Sequence, residues 1–244
     1  MISPAKAHFM RKTAEKEAAQ AAASGNQLAG STGYELMLAK VDADMRRLKD
    51  IQSIDRKIEV KRELLPDYDA YIDGAIAGDT GVQDDVLMTA MVWQFDIGNF
   101  ERGLQIAEYA LRHKLALPGQ YKRTLGTLIA EEVSDAAKRK LAAKEPANSL
   151  LVSCLIADDI TANEDMPDQS RARLYKAIGL IYAEGLVGID VDKAGPELLQ
   201  DLRVHAETAL DFMRRAMAKD QNVGIKKELE RTERYLKNLP AANG

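Results

Sequence analysis

An all-α fold is predicted for this chain: a bundle of helical hairpins with one long helix near the N-terminus and some tetratricopeptide-like helix pairs. Three observations predict it. Ala, Leu, Lys, Glu, Arg, Asp and Met dominate the composition, and aromatic residues make up only 5%. β-Branched residues rarely alternate over windows of strand length, and apolar residues instead recur at three- and four-residue spacings. The periodic segments are separated by Gly, Pro and Asn signals, most clearly at Gly98-Asn99 between two apolar-periodic stretches running from Gln83 to Gly119.

Residues 4–23 form an Ala-rich helical pattern, with Ser3 as its cap and Pro4 at the first helical position, but with few large apolar side chains to bury. The stretch SGNQLAGSTG at 24–33 has the composition of a linker, so residues 1–33 are expected to be a flexible basic arm. Thr32 and Glu35 have capping-box spacing. They introduce a helix expected over 34–65, about 45 Å long, that ends before Pro66. Tyr34, Leu38, Val41, Met45 and Leu48 follow a 4-3-4-3 spacing, and Ile51, Ile54 and Ile58 extend the stripe around the axis. Such a stripe packs either within its own chain or against another subunit.

Shorter helices are expected near 67–77, 83–97, 101–115, 121–143 and 148–162, giving a central bundle over 66–165. In the hairpin of 83–117, Gly98, Gly103, Ala107 and Ala110 fall where close helix packing favours small side chains. A second pair, RLYKAIGLIYAEG and LLQDLRVHAETALDFMRRAMAKD, lies with a charged last helix in a C-terminal region at 166–239, a candidate for partner contact.

The bounds from composition are simple. With 244 residues the chain can bury a substantial core. No apolar run approaches about 18 residues, and Lys6, His8, Arg11 and Lys12 occupy the start in place of an apolar signal stretch, so neither a membrane span nor export is expected. A lone cysteine, Cys154 in LLVSCLIA, cannot close an intrachain disulfide and reads as a small buried hydrophobe. His8, His113 and His205 are scattered, so no metal site is expected. Trp93 and Tyr109 read as core aromatics of the hairpin.

Several short blocks carry a family resemblance. They are Ser3-Pro4-Ala5 with His8 and Arg11, Tyr34-Glu35, Met37-Leu38, and Lys61 to Pro66. Further on come Gln83-Asp84-Asp85, Met91 before Trp93, Asp96 before Gly98, Tyr109-Ala110-Leu111, Leu117-Pro118-Gly119, Arg123-Thr124, Asp165 to Asp168, Gly179-Leu180 and Lys226-Lys227-Glu228. In their joint order over residues 3–237, they resemble the small terminase subunit of tailed phages that cut their DNA at cohesive-end sites. That resemblance implies a ring-shaped homo-oligomer and recognition of the packaging site on double-stranded DNA. It also implies a large subunit that supplies the ATP-driven motor, the divalent metal and the nuclease, all in the host cytoplasm. Some members end in a strongly basic tail, which Leu239 to Gly244 here are not. The ring tilts the stripe of Leu38, Val41, Met45 and Leu48 toward subunit pairing.

Charge is unevenly spread. The whole chain carries a net charge of -4, yet residues 1–62 hold 12 basic against 8 acidic residues, residues 63–170 hold 9 against 19, and residues 171–244 hold 13 against 11. Lys and Arg neutralise backbone phosphates and release condensed counterions, whereas an acidic body repels a duplex. The expected DNA-binding residues are therefore Lys6, His8, Arg11 and Lys12 in the arm and Arg46, Arg47, Arg56, Lys57, Lys61 and Arg62 along the long helix. Lys226, Lys227, Arg231 and Arg234 are the reserve. Scarce aromatics and the absence of zinc-finger or RNA-recognition spacing leave duplex DNA as the nucleic-acid partner.

No catalytic residues are expected in this chain. Neither Pro66-Asp67 nor Pro167-Asp168 is followed by the Asp/Glu-x-Lys that a PD-(D/E)xK nuclease requires, and there is no Gly-Lys-Ser/Thr loop for ATP, so no cofactor is expected here. Asp84-Asp85 and Asp158-Asp159 diverge by about 100° on a helix and read as caps or solvated groups. The family is nevertheless associated with endonuclease activity at the cohesive-end site. Three readings stand: a DNA-binding terminase subunit that directs cleavage by its large subunit, a helical-repeat adaptor that does not touch DNA, and an endonuclease in its own right.

Overall fold

The computed structural model describes residues 32–240, and the chain divides into two compact units, one ending at Leu125 and the other beginning at Gly126. Residues 1–31 of the arm expected at 1–33, with the helix expected over 4–23, lie outside the described residues. Among the described residues all regular structure is helical, with ten α-helices and three short 3-10 turns, so the chain is all-α. No helix among them is long and apolar enough to cross a membrane.

The first unit opens with α1 (Thr32–Lys49) and α2 (Ile54–Leu64). The single helix expected over 34–65 is therefore two. Ser53 is in an extended conformation and its side chain accepts the Arg56 amide at 3.3 Å, capping α2 and ending the run of helical backbone at 50–53. After the break, Val60 and Leu64 are buried. Pro66 sits in the 3-10 turn Leu65–Asp67, where the chain leaves α2.

Next come α3 (Asp69–Gly78), α4 (Asp85–Asp96) and α5 (Phe100–Arg112). α4 is buried along nearly its whole length, and α1, α3 and α5 pack on it. Asp84 and Asn99 cap α4 and α5 by accepting the amides of Leu87 and Arg102. Gly98, at φ 80°, makes the turn between them. Gly103 lies where a Cβ would fall 2.9 Å from the Phe95 ring, and Ala107 and Ala110 are fully buried, which is the close approach the small residues predicted.

The second unit comprises α6 (Leu125–Ala142), which starts at the boundary, α7 (Leu151–Ile160), α8 (Asp168–Glu184), α9 (Pro196–Lys219) and α10 (Lys226–Asn238). α8 and α9 form its most extensive helix pair. Gly179 permits it, since a Cβ there would come within 3.1 Å of the Ala209 carbonyl. Leu128, Ile129, Leu174, Ile178 and Ile181 make the buried centre. The boundary between units thus falls inside the span 66–165 read from sequence as one bundle, because α1–α5 and α6–α10 each bury their own apolar set.

Candidate nucleic-acid interface

α1 and α2 position the described part of the expected interface. The buried face of α1 is Met37, Val41, Asp44 and Leu48, at helical spacing. Of the four residues expected to pair between subunits, Val41 and Leu48 are 3% and 7% exposed within their own chain, while Leu38 and Met45 are half-buried. Intrachain packing against α4 therefore takes Val41 and Leu48 out of reach of a subunit contact, and the stripe is rotated relative to the expected seam.

Asp44 lies on that buried face without being isolated. It accepts the Tyr68 hydroxyl at 2.7 Å and the Lys40 ammonium at 2.8 Å, and Lys40 also reaches Asp67 at 3.2 Å. Burial and the hydrogen bond to Asp44 push the Tyr68 hydroxyl well above the ordinary phenol range. These contacts hold α1 against the Leu65–Asp67 turn.

The corner between α1 and α2 is rich in basic residues. Residues 46–57 contain five cations, Arg46, Arg47, Lys49, Arg56 and Lys57, against the carboxylates of Asp50 and Asp55. Ile54 is 75% exposed in the same corner. Arg46 is exposed and donates only to the Asp42 carbonyl, at 3.1 Å, and exposed Lys49 and half-buried Lys57 have no carboxylate partner among the described residues. Lys49 is missing from the sequence reading. Its signal was the basic cluster at a helix end that the sequence reading placed at 65 instead of 49, where cations also complement the helix dipole.

The other expected cations have internal partners. Arg47 pairs with Glu63 at 3.2 Å, and Arg56 with Glu59 at 2.7 Å and Glu63 at 3.9 Å. The hydrogen bond to Glu59 and the charge of Glu63 hold the Arg56 guanidinium above its usual value. Lys61, 16% exposed, pairs with Asp96 at 2.5 Å, and Arg62 donates to the Ile97 carbonyl at 3.2 Å, so both tie α2 to the end of α4. Lys6, His8, Arg11 and Lys12 lie outside the described residues. The reserve cations Lys226, Lys227, Arg231 and Arg234 are all exposed on α10; among the described residues, Arg234 donates to the Glu230 carbonyl at 3.3 Å, and the other three side chains have no hydrogen-bond partner.

The carboxylate pairs have structural work. Asp84 is buried, accepts the Tyr71 hydroxyl at 2.6 Å and caps α4. Asp158 lies 3.7 Å from Arg171 and 3.4 Å from Arg215. No group of three His, Cys, Asp or Glu side chains is placed to hold a metal ion among the described residues. Cys154 is fully buried, and burial pushes its thiol up to about 12, a packing role without a thiolate. Trp93 packs edge-on to Tyr68 at 5.9 Å, and Tyr109 accepts the Gly81 amide through its hydroxyl at 3.1 Å, both in the core.

Comparison with known proteins gives this geometry a context. The family model described as phage small terminase subunit matches residues 38–169, which spans α1 to the start of α8. The chain is 40% identical over 240 residues to the "Terminase, endonuclease subunit" of Escherichia phage P2, covering 98% of this chain and 88% of that protein. It is 27% identical over 106 residues to the "Probable terminase, endonuclease subunit" of Haemophilus phage HP1, covering 41% of this chain and 36% of that one. No solved structure matches it. The chain belongs to the phage small terminase subunit family, whose role is in phage DNA packaging.

Proposed function

We propose that this chain is the DNA-recognition subunit of a phage packaging machine. It binds the cohesive-end packaging site on duplex DNA as a ring-shaped homo-oligomer in the host cytoplasm and directs cleavage and packaging by a large subunit. ATP and the divalent metal belong to that large subunit. The observation that carries the reading is the corner between α1 and α2, where Arg47 and Arg56 are paired with Glu63 and Glu59 while Arg46, Lys49 and Lys57 have no carboxylate partner among the described residues. Cations of that kind exchange solvent ions for phosphate without first breaking an ion pair. In a ring, repeated copies of one modest site multiply into avidity. Leu38 and Met45, half-buried together on one flank of the buried face, supply the edge of α1 through which subunits pair.

The test is duplex retention by wild type and by the triple variant Arg46→Gln, Lys49→Gln, Lys57→Gln over a salt series, with assembly mass checked. The variant should bind more weakly and with a shallower dependence of log-affinity on log-salt. A wild type that shows no salt-dependent retention is a protein adaptor instead.

A second reading comes from the name of the phage P2 relative, an endonuclease subunit. On it, this chain cuts DNA itself. Purified protein incubated with cohesive-end DNA and magnesium, with no large subunit present, separates the two: the proposal expects intact DNA, and site-specific cuts would transfer the nuclease to this chain.

A further inference from the structure

Lys138 on α6, Lys144 just beyond it, Lys176 on α8 and Arg231 on α10 converge on a groove of about 890 Å³ in the second unit. None of the four has a carboxylate within ion-pair distance among the described residues. Lys176 donates to the carbonyls of Val223 at 2.7 Å and Gly224 at 3.0 Å, which fix its ammonium at the turn before α10 and leave its charge uncompensated. A fifth cation, Arg173, reaches Glu131 only at 3.9 Å and is 55% exposed. Of the four carboxylates in the lining, Glu184 accepts the Ala147 amide at 3.1 Å and Asp220 the Asn222 amide at 2.9 Å, so both are held by backbone donors. The lining is net positive in a chain whose net charge is -4.

The positive strip continues out of the groove. Lys227 and Arg234 lie four residues before and three residues after Arg231, on the same face of α10, and both are exposed. From Lys227 to Arg234 the helix rises about 10 Å, a length over which one strand of duplex DNA presents about three phosphates. No aromatic side chain lines the groove, so nothing there stacks on a nucleotide base.

We infer that the second unit holds a run of duplex backbone phosphates in this groove, through Lys138, Lys144, Lys176 and Arg231, with Lys227 and Arg234 extending the contact along α10. This rests on the DNA-recognition reading above and uses a different surface from the corner between α1 and α2. The contact is to backbone alone. It adds affinity and register to the complex and carries no base readout.

The experiment uses the full chain and a duplex probe. Lys138→Gln, Lys144→Gln and Arg231→Gln together remove three exposed charges that have no ion-pair partner among the described residues, and retained helical circular dichroism confirms the fold. Lys114→Gln, Lys122→Gln and Lys193→Gln together make the same charge change elsewhere. The groove variant should lose about 0.9 in the slope of log-affinity against log-salt for each phosphate contact removed, and the control triple little. Equal slopes for groove variant and control overturn the proposal. Slope loss confined to the α1–α2 variant also overturns it, while leaving the reading of that corner intact. Loss confined to the groove variant does the reverse. No duplex binding by wild type overturns both. An ATP titration runs in parallel: saturable ATP binding that vanishes in the groove variant while its duplex slope holds assigns the groove to free nucleotide and overturns the DNA contact.

Discussion

Tyr71 donates a 2.6 Å hydrogen bond to the carboxylate of Asp84, whose other oxygen accepts the Leu87 amide at 2.9 Å, so one buried group joins α3 to the first turn of α4. Desolvation outweighs both hydrogen bonds and raises the Asp84 pKa to about 6, while Tyr71 itself is pushed well above the phenol range, first by burial and then by the Asp84 charge.

Asp84 consequently makes stability depend on pH in a defined window. Unfolded, an Asp loses its proton near pH 3.9; folded, this one keeps it to about 6. Between those values the native state holds a proton that the unfolded state has released, so the Asp84 contribution falls as pH rises from about 4 to about 6 and is constant above. Asp84→Asn keeps one acceptor oxygen for the Leu87 amide, places an amide N–H where the other oxygen accepts the Tyr71 hydroxyl, so that the hydroxyl must turn to accept, and removes the titration. Urea midpoints of wild type and variant, measured from pH 4 to 7, should diverge across that window. Parallel curves would contradict the assignment.

Gly179→Ala should destabilise the second unit. The new Cβ would come 2.9 Å from Cγ of the fully buried Met213, close to its backbone, and 3.1 Å from the Ala209 carbonyl. Overpacking of this kind costs about 1–3 kcal/mol, against about 1 kcal/mol gained in helix propensity. Gly119→Ala, with nothing within 4 Å, is the control. A urea midpoint for Gly179→Ala equal to that of the control would mean that α8 and α9 are free to separate.

Met45→Glu tests subunit pairing apart from folding. Met45 is half-buried in the single chain, so a Glu there can reach water, whereas a contact with another subunit would trap the charge at a cost of several kcal/mol. Assembly mass should fall while helical circular dichroism is retained. An unchanged mass removes this edge of α1 from the interface.

Removal of residues 1–30 tests the arm that carries Lys6, His8, Arg11 and Lys12. Duplex affinity should drop and the salt slope should flatten by the arm's share of phosphate contacts. Identical slopes before and after truncation would leave duplex binding to the two surfaces on α1–α2 and α6–α10.

Local chemistry in the sequence revealed most of the helices. Asp84, Asn99, Pro66 and Gly98 cap, stop or turn the chain through contacts within a few residues, and their positions predict α4, α5 and the end of α2 closely. The break at 50–53 was hidden because Ile51, Ile54 and Ile58 continue an apolar spacing and Ser53 is tolerated inside a helix; only packing of α2 on the rest of the unit decides for a cap. The burial of Asp44 was hidden for a similar reason, since its partner Tyr68 is 24 residues away. Charge counting could not see which cations are paired, because the partners of Arg47, Lys61 and Arg62 are Glu63, Asp96 and the Ile97 carbonyl, 16 to 35 residues distant.

Glu63 stands between Arg47 and Arg56, at 3.2 Å from one and 3.9 Å from the other, where an incoming phosphate would stand. The protein thereby carries its own tethered rival for these two guanidinium groups, present at a high local concentration at all times. Stray polyanions that touch the surface at a single point must evict it, and a weak encounter will fail to do so. On the proposed DNA-recognition reading, a duplex that engages Arg46, Lys49 and Lys57 first would displace it, which would make Arg47 and Arg56 a threshold that rewards correctly seated DNA and sheds the rest.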